Sequence, residues 1–305
     1  MPTKDKPYAL YNADCIEVLR KMKSNSVHFT MYSPPFVSLY TFSDDARDLS
    51  NCSNERTFWE HYDFVIQENF RVTKPGRLVS VHCMQLPTSK TRDGYIGIKD
   101  FRGDIIRAHL KHGFIFHSEV CIWKDPVTAM QRTKAIGLLH KQILKDSALS
   151  RQGLADYIVT MRKPGENSEP VSGAFEDYHG ENVEEKKPKH DTSHVADSYS
   201  VKVWQNYASP VWMDIKQGDV LSYRNARGPK DERHISPLQL TPIRRCLELW
   251  TNEGDVVLSP FAGIGSEGVV ALQMKRKFIG IELKKSYYEQ AVYNLDNVQQ
   301  TRSLV

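Results

Sequence analysis

The chain has 305 residues, 40% hydrophobic and 26% charged, enough to bury a full core in one large domain or two. Its net charge of +4 permits a polyanionic partner but equally fits enzymes of small metabolites, and five scattered cysteines without a C-x-x-C pair argue against disulfides or a zinc site. A reducing cytoplasm is the expected setting, because no apolar signal core opens the chain and no run of about 18 apolar residues could span a membrane.

The first stretch, YALYNADCIEVLRKM, reads as a strand passing into a helix. Asp14 stands at the junction, either as the helix N-cap or as a site residue. SVHFTMY then alternates as a strand and stops at Ser33-Pro34-Pro35-Phe36. Two prolines remove ladder donors and force extended geometry, so this tetrapeptide leaves the sheet as a rigid loop, either a plain strand stop or a positioned reactive group. A helix is predicted from about Thr57 to Val72, closed by Lys74-Pro75-Gly76 and followed by the strand RLVSVHC. Strands alternating with helices indicate an α/β protein with a parallel, doubly wound sheet.

From about Pro87 to Arg233 the texture changes. GFIFHSEVCIWKDP still reads as strands, but a basic stretch follows and then a long polar run punctuated by Gly and Pro. The expected organisation is therefore three parts: 1–86, an insertion over 87–233, and 234–305. Lys124, Arg132, Lys134, Lys141, Lys145 and Arg151, with Arg162 and Lys163, are either solvated faces or grips on phosphate. Trp123, Trp204 and Trp212 are either stacking groups or core.

Regular texture returns after His234, with the sharpest local signal near the end. Val256-Val257-Leu258 runs into Ser259-Pro260-Phe261-Ala262-Gly263-Ile264-Gly265, then a helix, then FIGIEL with Glu282 closing the next strand. The turn is taken as one G-x-G whose spacing departs from G-x-G-x-x-G. A glycine turn at a helix N-terminus admits a ligand to the backbone, and a carboxylate ending the next strand accepts from ribose hydroxyls. Strand, turn, helix, strand and acid in that order describe a site for an adenosine-containing cofactor. The bland alternatives are a tight turn and a Glu282 that only caps the helix after it.

SPPF near the start and SPFAGIGSEG…FIGIEL near the end resemble the β-class of amino-methylating DNA methyltransferases, and the whole chain resembles their bacterial and prophage orphan members. The resemblance implies a Rossmann-like methyltransferase fold with a target-recognition region inserted between the motifs, double-stranded DNA as partner, and a homodimer. It implies S-adenosylmethionine as cofactor, with Phe261, Gly263 and Gly265 on the methionine side, Ser259 in the same set, Glu282 at the ribose and Asp14 by the adenine. His234 and Ser236 then fall at the helix start that receives the methionine carboxylate, although Gln239 and Leu240 replace the usual Lys and Pro. Lys124, Arg132, Lys134 and Lys141 become DNA contacts.

The same resemblance gives the proline loop a task. An aromatic amino nitrogen has its lone pair delocalised, so acceptors aimed at its protons favour tetrahedral geometry and stabilise the charge that develops on methyl transfer. Ser33 Oγ and the Pro34 carbonyl are the expected acceptors, Pro35 stiffens the loop, and Phe36 stacks on an extruded base. Adenine N6 is favoured slightly over cytosine N4. A dehydrogenase, a methyltransferase of RNA or protein, and a non-catalytic nucleic-acid-binding module are the competing classes.

Overall fold

The computed structural model describes residues 6–36, 49, 52, 55–128, 140–149, 151–171, 205–222, 226 and 237–303. Strand β1 (Tyr8–Asn12) leads into α1 (Cys15–Lys21), and β2 (Val27–Tyr32) is followed by α2 (Glu55–Val72) and β3 (Thr73–Met84). A small hairpin of β4 (Leu86–Pro87) and β5 (Ile98–Lys99) flanks α3 (Lys90–Asp93). Then come α4 (Phe101–Lys111), β6 (Ile115–Ile122), α5 (His140–Asp146), β7 (Asp156–Arg162) and β8 (Val211–Trp212). The chain closes with α6 (Leu240–Trp250), β9 (Val256–Ser259), α7 (Ser266–Gln273), β10 (Lys277–Glu282) and α8 (Lys285–Ser303).

Eight strands form one sheet in the order β1-β10-β9-β2-β3-β7-β6-β8. Pairings from β1 through β3 are all parallel, β7 runs antiparallel to both neighbours, and β8 is parallel to β6. This is a doubly wound, mostly parallel α/β sheet, as the alternation of strands and helices in the sequence predicts. Both faces are covered, and successive residues serve opposite layers. Leu258 and Ile279 face the layer of α1, α2 and α4, where Leu19, Phe58, Ile66 and Ile105 pack. Val257 and Phe278 face the layer of α6, α7 and α8, with Ile243, Leu272 and Leu295.

One expectation changes here. Lys74-Pro75-Gly76 does not form a separate turn, because β3 begins directly after α2 and absorbs it through an irregular register between Val27 and Phe29 of β2. The positive φ of Gly76, 73°, carries the kink that the proline requires. Within the stretch 87–233, β6, β7 and β8 join the main sheet.

Helix α7 lies close to β10 because Gly268 has no side chain. A Cβ there would meet the Phe278 ring at 2.6 Å and Leu295 at 2.8 Å. Gly268→Ala would gain about 0.8 kcal/mol of helix propensity. Overpacking a dry interface costs about 1–3 kcal/mol, so the variant is expected to unfold at lower urea, with an unchanged m-value.

Candidate active site

All five parallel strands of the β1-to-β3 half present their C-terminal ends at one edge of the sheet. The crossover from β9 to β10 moves one way and that from β2 to β3 the other, so the winding reverses between β9 and β2. Open α/β sheets bind ligands at such a reversal, outside the C-terminal strand ends. Here the reversal is a direct parallel pairing of Phe29 with Val257 and Thr30 with Leu258. The chain therefore leaves the sheet from neighbouring strands after Tyr32 and after Ser259, although Ser33 and Ser259 are 226 residues apart in sequence. Tyr32 and Phe261 bridge the two exits, their ring centroids 5.6 Å apart.

On the β9 side, Ser259 is fully buried and its Oγ has no hydrogen-bond partner among the described residues. Gly263 and Gly265 have φ of 52° and 87°. A Cβ at Gly263 would enter open space, whereas one at Gly265 would sit 3.2 Å from Ala291 in α8. The two glycines thus do different work: Gly263 leaves the turn open and Gly265 lets α8 approach. With Gly268 the run is a full G-x-G-x-x-G, all three positions constrained, and not the single G-x-G read from sequence. The Glu282 carboxylate accepts from Gly263 N at 2.9 Å and from Lys284 N at 2.8 Å, so it holds the turn and the entry to α8 together. An orphaned buried hydroxyl, an open backbone cradle and a carboxylate on the adjacent strand fit a nucleoside-bearing ligand.

On the β2 side, Pro34 is buried while Ser33, Pro35 and Phe36 are half-buried. Phe36 packs edge-on against Phe101, at 6.0 Å, within the aromatic cluster of Phe58 and Trp59. Ser33 Oγ lies 3.1 Å from His82 Nδ1 on β3. His82 Nε2 lies 3.2 Å from Asp156 Oδ2 on β7, and Lys124 Nζ lies 2.5 Å from the same oxygen. Neither His82 nor Asp156 stands out in sequence, because the strand pairing that joins them spans a long intervening segment.

Other residues sit where the chain uses them structurally. Asp14 accepts from Ile16 N at 2.8 Å and Glu17 N at 3.3 Å, the N-cap geometry of α1. The start of α6 already holds an anion, since the Asp219 carboxylate accepts from Thr241 N at 2.9 Å and from its hydroxyl at 2.5 Å. His234 and Ser236 lie outside the described residues, as do Arg132, Lys134 and Trp204. Trp212 is core, stacked under Arg245, whereas Trp123 is exposed.

A family model described as DNA methylase, of the N6/N4 methyltransferase type, matches residues 5–293. The chain belongs to this DNA methylase family. It is 37% identical over 81 residues to the DNA adenine methyltransferase YhdJ of Escherichia coli, covering 26% of this chain and 28% of that protein. It is 24% identical over 284 residues to the orphan methyltransferase M.BamHII of Bacillus amyloliquefaciens, covering 90% and 92% respectively. Among solved structures, the DNA modification methylase TTHA0409 of Thermus thermophilus, complexed with S-adenosyl-L-methionine, superposes with a TM-score of 0.63 at 22% identity over 95% of both chains. The cytosine-N4-specific PvuII DNA methyltransferase superposes at 0.62 with 13% identity over 96% of this chain and 90% of its own. These two share the fold.

Three of the basic residues singled out in the sequence, Lys124, Arg162 and Lys163, have partners within the chain. Lys124 is engaged inside the site by Asp156. Arg162 and Lys163 lie at the other end of β7, about 20 Å away by strand rise. There Lys163 Nζ bonds Asn25 Oδ1 and the Thr73 carbonyl, both at 2.7 Å. Lys141 lies on α5. At that far edge His28, Glu169 and Asp255 cluster within 4.8 Å as possible metal ligands. Lys74 and Arg77 already pair with those carboxylates, so the charge there is balanced.

Glu267 in the first turn of α7 is buried, and burial foremost, with the Glu282 charge adding, pushes its carboxyl up to about 8 from 4.5. The folded chain therefore holds a proton between these values that the unfolded chain releases, and stability falls as pH rises through that window. Glu267→Gln should remove this dependence. Its unfolding free energy relative to the parent is expected to climb from pH 5 to pH 8, with a limiting slope of ~1.4 kcal/mol per unit; parallel profiles in urea titrations would place the proton elsewhere.

Proposed function

We propose that the chain transfers a methyl group from S-adenosylmethionine to the exocyclic amino nitrogen of a base flipped out of double-stranded DNA, adenine N6 in preference to cytosine N4. The observation that carries the reading is the β2–β9 pairing, since the Ser33-Pro34 loop and the glycine turn follow these two neighbouring strands. Supporting it are the N6/N4 family match and the adenine-methylating relative. The turn of Gly263 and Gly265, Phe261, Ser259 and Glu282 would hold the cofactor, which supplies an electrophilic methyl. Glu282 is bound to the turn's own amide through Oε2. A carboxylate oxygen can accept more than one hydrogen bond, so clamping the turn and holding a ligand are compatible.

Ser33 Oγ and the Pro34 carbonyl accept the two amino protons. Together they draw the nitrogen out of conjugation and stabilise its positive charge as transfer proceeds. Pro34 and Pro35 contribute rigidity, so the acceptors need no reorganisation when the base arrives. Phe36, held edge-on by Phe101, offers a face for the base. A homodimer and a recognition region drawn from 87–233, with Arg132, Lys134 and Lys141 on phosphates, complete the reading.

Single-molecule sequencing of DNA from cells expressing the chain tests it. Adenine N6 methylation in a defined motif is expected; N4-methylcytosine would favour the second base, and unmodified DNA would reject the function. Two variants separate the halves of the site. Gly263→Asp should fold, since Asp tolerates positive φ and the space is open. It should lose S-adenosylmethionine binding in calorimetry, because its carboxylate fills the cradle. Ser33→Ala should keep that affinity and lose about 10²-fold in turnover, the scale for one transition-state hydrogen bond.

A further inference from the structure

Ser33 must accept a proton from the substrate, yet its own hydroxyl hydrogen has to point somewhere else. Among the described residues, His82 is placed to receive it. His82 offers Ser33 Oγ two acceptors, Nδ1 at 3.1 Å and the backbone carbonyl at 3.4 Å. Behind it, Asp156 is 2% exposed, its Oδ2 faces His82 Nε2 at 3.2 Å, and its Oδ1 is buried without a hydrogen-bond partner among the described residues. The Nε2 contact is close enough for an ion pair but is not aligned as a hydrogen bond in this structure.

Building on the function proposed above, we propose that His82, backed by Asp156 and Lys124, is a positioning residue that orients the Ser33 hydroxyl and takes up, through it, the proton released by the methylated amino group. An anion beside Nε2 favours the imidazole tautomer with its hydrogen there, leaving the Nδ1 lone pair to face Ser33. The Ser33 hydrogen then points at His82, and both remaining Oγ lone pairs are available to the base. Burial by itself would raise the Asp156 carboxyl, but Lys124 and His82 outweigh it and hold it below the usual range, so the carboxylate persists at neutral pH.

The proton balance closes without a further reagent. The nitrogen lone pair forms the bond to the methyl carbon, and the sulfonium donor's sulfur keeps the pair of the bond that breaks. The nitrogen then loses one N–H proton to Ser33 Oγ and retains that electron pair. Ser33 passes its own hydrogen to His82 Nδ1, and the imidazolium, facing Asp156, later yields the proton to water. Among the described residues, Asp156 from β7 and Lys124 after β6 are the charged groups paired on this face. Cys83, next along β3, instead senses Arg102, Glu119 and Asp100 as well, with Tyr157 under the Arg102 guanidinium at 5.2 Å.

The test uses the full chain with duplex DNA containing its motif and S-adenosylmethionine. Single-turnover rates are measured against pH for the parent, His82→Asn and Asp156→Asn. Asn places an oxygen near the position of Nδ1 but takes up no proton. His82→Asn should bind duplex and cofactor as the parent does, lose about 10²-fold in rate, and lack the acidic limb of the parental profile. Asp156→Asn should move that limb to lower pH, because the imidazolium loses its anion. Independently of turnover, ¹H–¹⁵N correlations of the free parent should show His82 protonated at Nε2, with a shift on Ser33→Ala. An active parent whose His82→Asn variant keeps the rate and the acidic limb overturns the inference, as does an Nδ1-protonated His82. A parent that methylates no DNA overturns the proposed function together with this inference.

Discussion

The parallel contact of β2 with β9 is the constraint on which the site depends. It covers only the Phe29–Val257 and Thr30–Leu258 positions, but it joins the first and last thirds of the chain. Each strand feeds a loop that backbone chemistry prevents from continuing the sheet: Pro34 and Pro35 have no donors, and the glycines after Ser259 adopt positive φ. Because a register slip of one residue would exchange the two faces, the alternation of Val257 and Leu258 between helical layers also fixes which way both loops emerge. Core packing thereby sets the relative position of the acceptor loop and the glycine cradle.

What the sequence made legible was local. The helix ending at Val72, the proline stop and the strand–turn–helix–strand ending in Glu282 all follow from period, proline and glycine, and all are present. Strand β7 escaped because DYIVTMR is short, follows a polar stretch and pairs with residues more than seventy positions earlier in β3. His82 escaped with it: on a buried strand a histidine reads as core, and only pairing with β7 brings Asp156 behind it. Gly268 escaped for a different reason, since its role is clearance for Phe278 and Leu295 and not backbone conformation. The charge of Lys124 was visible but its partner was not: Asp156, which it pairs with from a partly buried position, lies on a strand that the sequence did not reveal.

The two edges of the central strands carry polar networks of opposite character. At the N-terminal edge His28 accepts from Val256 N at 3.0 Å through Nδ1, Asp255 pairs with Arg77, and Lys74 reaches Glu169 at 2.9 Å. Opposite charges there are matched and the hydrogen bonds are largely closed, which is the condition under which a buried ion pair is tolerated. Such a network pins the starts of β2, β3 and β9 to one another and leaves little to offer a ligand.

At the C-terminal edge the network is open. Ser259 Oγ, Asp156 Oδ1 and His82 Nε2 are all buried without a hydrogen-bond partner among the described residues. Each such atom costs about 1–3 kcal/mol. Eleven other such atoms occur among the described residues, those of Thr30, Asn69, His109 and Trp212 among them, so an orphaned atom does not by itself mark a site. These three differ in that strand topology gathers them around Ser33 and the glycine turn. A fold that closes its polar groups at one edge and leaves them open at the other concentrates unsatisfied interaction where substrate and cofactor would complete it. The same openness keeps His82 able to exchange a proton, which a fully bonded histidine such as His28, with Val256 on one nitrogen and Glu169 on the other, could do only by breaking its contacts.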